Sequence, residues 1–156
     1  MIWEEYFLDM LPSVAKKSKD NSTKVGCIIT GADYGILVTG FNGFARGVND
    51  KIEEVPERYE RPAKYLWTPH AEANAIYYAA GVGTALRGGI LWVGWHPCAG
   101  CADAIINARI SKVIFDADSA EANNMALAER WKEDHRIAKL KFAEAKVPVI
   151  GFSRKR

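Results

Sequence analysis

Short apolar runs alternate with segments of helical pattern along most of the chain, and this alternation restricts the fold more than any other feature. The runs predicted as strands are residues 25–30, 35–41, 90–95, 112–115 and 147–152. The segments predicted as helices are residues 1–19, 71–80, 98–108 and 120–146. Helices between strands favour parallel pairing, whereas the turn-like tetrapeptide joining the first two runs is typical of an antiparallel hairpin. The sequence therefore predicts an α/β fold with a mixed five-stranded sheet.

The length and charge of the chain limit its class of function. Its 156 residues predict one domain over 1–156. No stretch approaches the roughly 20 apolar residues of a membrane span, and the N-terminus lacks the basic start of a signal peptide, so we expect a cytoplasmic protein without a membrane partner. A net charge of +2 is too small to predict a surface for duplex nucleic acid, but it permits a small phosphorylated ligand.

A polar segment rich in Arg, Glu and Pro interrupts the alternation at residues 42–69. We interpret it as a long excursion of the same domain rather than a linker between domains. Loops of this length inside compact domains usually carry function, so the segment is expected to contribute to a site.

Two clusters of metal-binding residue types open consecutive predicted helices. The first is H-A-E at 70–72, and the second is P-C-A-G-C at 97–101, with Pro97 predicted as the first helical residue. Two such helix starts can converge where open α/β sheets place their sites. His70, Cys98 and Cys101 would then hold zinc with one position left open, which is typical of a catalytic rather than a structural site.

Glu72 lies two residues from His70, near the predicted metal without needing to bind it. Zinc lowers the pKa of its water to about 7, so hydroxide is available near neutral pH. Attack on an amidine-like ring carbon then requires one proton at the ring nitrogen and another on the departing amine. We therefore predict that Glu72 is the acid/base group that carries both protons.

The remaining candidates have less specific settings. His96 and Trp95 stand just before the second cluster and are predicted to form a pocket wall or to contact substrate. Cys27 lies in the first predicted strand and is predicted to be a small core residue. His135 is surrounded by charged residues and is predicted to be solvated. The aromatic residues predicted to pack in a core or a subunit contact are Tyr77, Tyr78 and Trp131.

Four segments resemble the motifs of one known family. Residues 18–26 resemble an S-K-D-x-S/T-x-V-G opening, and G-F-N-G at 40–43 resembles a G-Y-N-G segment. The sequence H-A-E-A-N-A-I at 70–76 is similar to H-A-E-L-N-A-I, and residues 97–102 match P-C-x-x-C-A. These are motifs of the deoxycytidylate (dCMP) deaminase family in the cytidine deaminase superfamily. The resemblance runs over most of the chain and implies a three-layer α/β/α cytidine-deaminase-like fold.

The resemblance also implies an activity and a set of site residues. By this likeness His70, Cys98 and Cys101 hold one catalytic Zn²⁺, and Glu72 is the acid/base in hydrolysis of dCMP to dUMP and ammonia, a step that supplies dTTP in pyrimidine metabolism. The residues predicted to contact substrate are Asn42, Lys24, Ala71, His96 and Trp95. The residues that resemble an allosteric nucleotide site are Gly40, Phe41, Asn42, Gly43 and Arg46. On charge alone, the candidate phosphate partners are Lys24, Arg46, Lys16, Lys17 and Lys19.

Members of this family are commonly homohexamers that dCTP activates and dTTP inhibits. The likeness therefore implies a hexamer regulated by both triphosphates, with Mg²⁺ accompanying a regulatory nucleotide. The helix face around Tyr77 and Tyr78 is the predicted subunit contact.

Other classes remain possible at the level of the sequence. Free-nucleoside cytidine deaminases typically ligate zinc with three cysteines, whereas His70 stands first here. Adenosine deaminases acting on tRNA pass quickly from the asparagine segment to H-A-E, whereas a long segment separates Asn42 from His70. Deaminases of riboflavin synthesis usually carry a second domain. A thiol redox protein using Cys98 and Cys101, or a non-catalytic zinc module, would leave Glu72 without a role.

The chain departs from the family pattern after the fourth predicted strand. Many dCMP deaminases carry a tyrosine there that borders the cytosine, whereas Phe115 is followed by D-A-D-S-A at 116–120. One hypothesis is that a more open wall tolerates a methyl or hydroxymethyl group at cytosine C5, with a relaxed preference of about 1–3 kcal/mol. The alternative is that Trp67 or Trp95 fills the space and ordinary selectivity is kept.

Overall fold

The computed structural model describes residues 1–122 and 129–154. Its helices are α1 (Trp3–Ala15), α2 (Lys64–Trp67), α3 (Ala71–Val82), α4 (Ala99–Asn107), α5 (Ala117–Ala122) and α6 (Glu129–Glu144), with a 3₁₀ helix at Pro56–Tyr59. Its strands are β1 (Gly26–Thr30), β2 (Ile36–Phe41), β3 (Ile90–Val93), β4 (Lys112–Asp116) and β5 (Val149–Phe152). The predicted strands are all present. The part of the last predicted helix at 123–128 lies outside the described residues.

The five strands form one mixed sheet in the order β2-β1-β3-β4-β5. Strand β1 pairs antiparallel with both β2 and β3, whereas β3, β4 and β5 run parallel. The hairpin and the parallel half therefore meet between β1 and β3. This arrangement confirms the predicted mixed sheet.

Apolar side chains cover both faces of the sheet. On β1, Ile28 points to one face, and Cys27 and Ile29 point to the other; all three are completely buried. Helix α1 covers the first face, while α3, α4 and α6 cover the second. The three-layer α/β/α architecture is confirmed, and so is the core position of Cys27.

Two helix boundaries differ from the prediction, each for a local reason. Helix α3 continues through Gly81 and ends at Val82, because it is Gly83 that adopts the left-handed conformation (φ 78°) that terminates a helix. Helix α4 begins at Ala99, since Cys98 has extended backbone angles and acts as the N-cap. Pro97 therefore precedes the cap and is not the first helical residue.

Other boundaries shift by a few residues. Helix α1 ends at Ala15, so the basic residues at 16–19 lie beyond it. Strand β3 ends at Val93, which leaves Trp95 and His96 in the turn leading to α4. Strand β5 begins at Val149, where the chain has passed Pro148, which has no N–H to donate to a ladder.

The excursion at 42–69 has a small aromatic cluster of its own. Phe44 stacks on Tyr59 with 4.9 Å between ring centroids and lies 6.1 Å from Trp67. The guanidinium of Arg58 lies 4.0 Å from the centre of the Trp67 ring, in cation–π geometry. These contacts give a polar segment a defined path across the surface.

Within residues 1–122 and 129–154, no helix is long and apolar enough to cross a lipid bilayer.

Helix α3 lies unusually close to strand β2 at Gly40. A Cβ atom built on Gly40 would be 2.5 Å from the Ala71 carbonyl oxygen and 2.6 Å from the Ala75 nitrogen. The facing residues Ala71, Ala75 and Ala79 are buried, so small side chains on α3 permit this contact. Since Ala71 directly follows His70, the glycine also fixes the position of that histidine relative to the sheet.

We predict that Gly40→Ala lowers the free energy of unfolding by about 1–3 kcal/mol, because the added methyl group must displace backbone atoms of α3. The matched control is Gly81→Ala, since a Cβ there has no neighbour within 4 Å. That change should leave stability unchanged or raise it by up to about 1 kcal/mol. Denaturant unfolding of both variants measures the difference, and equal stabilities would contradict the packing argument.

Candidate active site

The predicted metal ligands lie at the starts of two neighbouring helices. His70 is the N-cap of α3, Cys98 is the N-cap of α4, and Cys101 lies in the first turn of α4. Both caps have extended backbone angles, which turn the chain from the preceding segment into the helix. The two helices pack on the same face of the sheet, so their N-termini bring the three side chains together.

The geometry of these ligands fits a zinc ion. His70 Nδ1 lies 3.3 Å from Cys98 Sγ and 3.5 Å from Cys101 Sγ, and the three atoms are all within 4.8 Å of one another. Tetrahedral bonds of about 2.0–2.3 Å to nitrogen and sulfur separate neighbouring ligand atoms by about 3.6 Å. One imidazole and two thiols are also a donor set that zinc prefers. The convergence predicted from spacing is therefore present.

The ionisable groups in the cluster influence one another strongly. A hydrogen bond with Cys98 raises the pKa of His70 to about 9. The hydrogen bond from Cys101, helped by that from His70, lowers the pKa of Cys98 to about 4. The pKa of Cys101 is raised because its proton is held by Cys98 and the side chain is buried. The lowered pKa of Cys98 favours the thiolate form that binds metal.

Glu72 is buried beside the ligands, with 6 % of its surface exposed. Burial raises the pKa of its carboxyl above the usual value, against the opposing attraction of His70. A raised pKa favours the protonated form of the carboxyl, and a group that can both hold and release a proton is what acid/base chemistry requires. Glu72 lines the same pocket as His70 and Cys98.

This pocket has a polar and an aromatic part. Its floor contains His70, Ala71, Glu72 and Cys98. The rings that line it are those of Tyr65, Trp95, His96, Trp131 and His135. The polar side chains that line it are those of Asp20, Thr23, Asn42, Arg61, Lys64 and Thr68. A mixed cavity of this kind suits a flat heterocycle that carries a polar substituent.

Two aromatic predictions are corrected. His135 was expected to be solvated and Trp131 to pack in a core or subunit contact, but both line the pocket. Trp131 meets Tyr65 edge to face at 6.1 Å, and the His135 ring lies 5.8 Å from that of His96. Helix α6 turns this face toward the site because Ala138, on the same side, is buried in the core.

Trp95 and His96 line the pocket as predicted. His96 Nδ1 lies 2.9 Å from the Pro97 carbonyl oxygen, and burial lowers the pKa of this imidazole. Trp67 is not among the lining residues and instead packs in the cluster of the excursion.

Asn42 lines the pocket while holding the neighbouring loop. Its side-chain oxygen accepts the Val25 N–H at 2.8 Å, and its amide donates to the Thr23 carbonyl at 2.9 Å. The Ser18 hydroxyl donates to the Asn42 carbonyl at 2.7 Å. The asparagine thus ties the 18–25 segment to the end of β2.

Asn74 is a residue of the site region that the sequence did not single out. Its amide donates to the carbonyls of Phe41 and Gly43, at 2.9 and 3.0 Å. It therefore fixes the turn at 40–43 to α3, and hence to His70.

The cations predicted to meet phosphate lie elsewhere. Lys24 is exposed and does not line this pocket. It lines a second cavity, which Trp95 also lines. Arg46 is exposed, with its guanidinium 5.7 Å from the centre of the Tyr78 ring. The cations that do line the pocket are Arg61 and Lys64, from the excursion. No sequence motif predicted that these two residues line the pocket, because their position depends on the path of an irregular segment.

Lys64 forms a buried ion pair at the pocket wall. Its Nζ lies 3.1 Å from Asp20 Oδ2 and 2.8 Å from Ser22 Oγ, and both charged side chains are 8 % exposed. Burial by itself would raise the pKa of Asp20. The N–H groups of Thr23 and Ser22, together with Lys64, outweigh this effect and hold the pKa below its usual value. The pair therefore joins the excursion to the 18–25 segment on one side of the pocket.

Together, the mixed sheet, the ligand cluster at two helix starts and the adjacent buried glutamate define a hydrolytic deaminase domain of the zinc-binding type. The family model "cytidine and deoxycytidylate deaminase zinc-binding region" matches residues 1–117. The chain belongs to this family, as the sequence motifs implied.

Individual relatives agree with this assignment. The chain is 37 % identical to an uncharacterized deaminase in the luxG 3' region of Aliivibrio fischeri, over 94 % of this chain and 91 % of that one. It is 34 % identical to the deoxycytidylate deaminase of Homo sapiens, over 82 % of this chain and 72 % of the relative. The fold is similar to that of the cyanophage S-TIM5 dCMP deaminase solved in complex with dCMP and dUMP, with a TM-score of 0.67 and 21 % identity over 97 % and 99 % of the two chains.

We predict that Lys64→Met lowers the free energy of unfolding by about 3 kcal/mol, because it leaves the Asp20 carboxylate buried without its cation. The control is Lys19→Met, which removes an exposed ion pair with Asp50 and should cost no more than about 1 kcal/mol. The stabilisation that the Asp20 carboxylate contributes to the folded state is present above its pKa of about 3.9 in the unfolded chain. It is lost as the pH falls through the lower pKa that Asp20 has in the folded chain. Urea unfolding at pH 7 and pH 3 measures both effects, and a Lys64→Met variant as stable as Lys19→Met would contradict the prediction.

Proposed function

We propose that this chain is a zinc-dependent dCMP deaminase that converts dCMP and water to dUMP and ammonia. The observation that carries the proposal is the cluster of His70, Cys98 and Cys101, of which His70 and Cys98 line a pocket together with buried Glu72. The similarity to human and cyanophage enzymes named as dCMP deaminases supports this choice of substrate. In this proposal the whole chain acts as a single catalytic domain.

Each part of the proposed reaction has a group in the pocket. His70, Cys98 and Cys101 would hold the zinc, which would supply the Lewis acidity that makes water acidic near neutral pH. Glu72 accepts the proton released by water as its oxygen bonds to cytosine C4, and delivers that proton to N3. Glu72 then takes the second proton from the hydroxyl on C4 and delivers it to the amine, so that the C4–N bond breaks to release ammonia as the C4 carbonyl forms. Burial of Glu72 favours this role because its protonated form is stabilised.

The pocket walls are proposed to orient the nucleotide. The rings of Trp95 and His96 border the base, and Ala71 opens α3, where the first N–H groups have no acceptor within the helix. Asn42 lines the pocket and is proposed to contact the sugar. We assign the phosphate contact to Arg61, because the charge of Lys64 is already paired with Asp20. This assignment replaces Lys24 and Arg46, which do not line the pocket.

The main alternative is another zinc deaminase of the superfamily, acting on free cytidine or on tRNA adenosine. The charged excursion that supplies Arg61 favours a mononucleotide, since a free nucleoside has no phosphate to recognise. A thiol redox function is disfavoured because His70 Nδ1 lies within 3.5 Å of both sulfur atoms, as in a metal site. Ammonia release from a panel of nucleosides and nucleotides separates these substrates directly.

Several finer properties stay predictions. The exposed rings of Tyr77 and Tyr78 support a homohexamer with a contact on α3. Activation by dCTP and inhibition by dTTP, with Mg²⁺ at the regulatory nucleotide, are carried over from the family resemblance. Tolerance of a C5 substituent is the least supported of these, because three large rings, Tyr65, Trp95 and Trp131, already line the pocket.

We predict that the purified chain carries about one zinc ion, and that Glu72→Gln keeps the zinc while losing about 10²–10⁴-fold in kcat, because an amide cannot move protons. Cys101→Ala should lose both metal and activity. Metal analysis beside an ammonia-release assay measures each effect. Near-normal turnover by Glu72→Gln would refute the proposed mechanism, and loss of zinc from that variant would mean that Glu72 is a ligand.

We also predict that kcat/KM for dCMP exceeds that for deoxycytidine by about ten- to a hundredfold, since a charged hydrogen bond to phosphate contributes about 1.5–3 kcal/mol. Arg61→Gln should remove most of this preference by lowering kcat/KM for dCMP alone. Arg46→Gln is the matched control and should leave both substrates unaffected. Equal efficiency on dCMP and deoxycytidine in the wild-type chain would contradict the assignment of substrate.

A further inference from the structure

Helix α6 contacts the metal-ligand turn directly, although it lies outside the stretch that matches the family model. Asp134, Ala138 and Lys141 are four and three residues apart, so they lie on one face of α6. Ala138 is completely buried in the apolar cluster that contains Cys101. The two charged residues therefore face α4 on either side of a packed centre.

Both charged side chains bind the same residue, Ala99. Asp134 Oδ1 accepts the Ala99 N–H at 2.9 Å, and Lys141 Nζ donates to the Ala99 carbonyl at 3.2 Å. Lys141 also pairs with Asp103 at 2.8 Å, one turn further along α4. The first residue of α4 is thus held at its N–H and at its carbonyl by one neighbouring helix.

The position of Ala99 makes this contact relevant to the metal. Ala99 follows Cys98 directly, so the orientation of their shared peptide sets the direction of the Cys98 side chain. The Ala99 N–H has no acceptor within its own helix, and a carboxylate is the favoured acceptor at a helix N-terminus. The Cys101 N–H meanwhile points to Cys98 Sγ at 3.5 Å. Fixing the first peptide of α4 therefore fixes the relation between the two thiols.

We propose that Asp134 is a positioning residue for the zinc site, which holds the 98–101 turn in its ligand-binding shape through the Ala99 N–H. Asp134 is not part of the His70, Cys98 and Cys101 cluster and does not line the pocket. It acts through the backbone, in the way that groups around metal ligands commonly fix ligand orientation. This inference rests on the zinc site of the proposed function.

The test measures zinc release from the full-length, zinc-loaded protein to an excess of a colorimetric chelator. Asp134→Ala should release zinc about 10–100-fold faster than wild type, because the turn loses its external acceptor. Asp134→Asn should stay within about threefold of wild type, since an amide oxygen can accept the same hydrogen bond without charge. Glu133→Ala is the matched control, because Glu133 is the adjacent residue on α6 and is exposed and paired with Arg136 on the same helix. Zinc release from this variant should be unchanged.

Two further measurements separate positioning from a general loss of stability. Visible spectra of the cobalt-substituted proteins should show altered thiolate bands in Asp134→Ala and wild-type bands in Asp134→Asn. Thermal melts of the metal-free proteins establish that the fold is kept. If Asp134→Ala does not fold, Asp134→Leu, which keeps the branching at Cγ without an acceptor, takes its place.

The outcomes are distinct. Wild-type release rates and spectra in Asp134→Ala would overturn the inference while leaving the zinc site intact. Asp134→Asn releasing zinc as fast as Asp134→Ala would also overturn it, because charge rather than the hydrogen bond would then be responsible. A wild-type protein that binds no zinc would refute the proposed function itself, and this inference with it.

Discussion

The close packing of α3 on the hairpin half of the sheet is the constraint on which the site depends. Gly40 leaves room for the backbone of α3, and the small side chains of the alanines at 71, 75 and 79 allow the helix to pack directly against β2. A larger residue at either surface would move the start of α3, which carries His70. Because the two thiols come from α4 on a different part of the sheet, such a movement would separate the histidine from both cysteines.

The electrostatic arrangement follows from the same packing. Two helix N-termini meet at the site, and the partial positive charge of a helix N-terminus favours negative charge there. The Cys98 thiolate and the buried carboxyl of Glu72 are both placed at these termini. Burial raises the proton affinity of the glutamate, and the charge of Cys98 adds to this effect against the attraction of His70. A zinc ion held by the three ligands would serve both the stability of this region and its proposed chemistry.

The sequence predicted the ligand set because that prediction needed only short-range information. Each cluster opens a helix, and the order of strands and helices was enough to bring the two starts together. Predicting the pocket walls required information about long-range packing as well. The pattern of α6 predicted a helix, but the side of it that faces inward is set by packing at Ala138, so His135 was misplaced. Arg61 and Lys64 lie in a segment without periodicity, whose path depends on contacts such as Arg58 with Trp67. Helix ends were misjudged at Gly83, which ends α3 in place of Gly81, and at Cys98, which caps α4 so that Ala99 rather than Pro97 is the first helical residue.

The side chains that would select the substrate come from different elements of the domain than the side chains proposed to catalyse the reaction. The groups proposed to bind zinc and move protons lie at two helix starts within the stretch that matches the family model. The side chains that narrow the pocket, Tyr65 and Trp131, come from the excursion and from α6, and they meet across it. Neither ring belongs to the sheet or to the helix starts that carry the ligands, so each ring can be replaced without moving the ligands. Substitutions at the two rings should therefore change which nucleotide is accepted, whereas α6 must keep Asp134 in register with Ala99 for the zinc site to remain assembled.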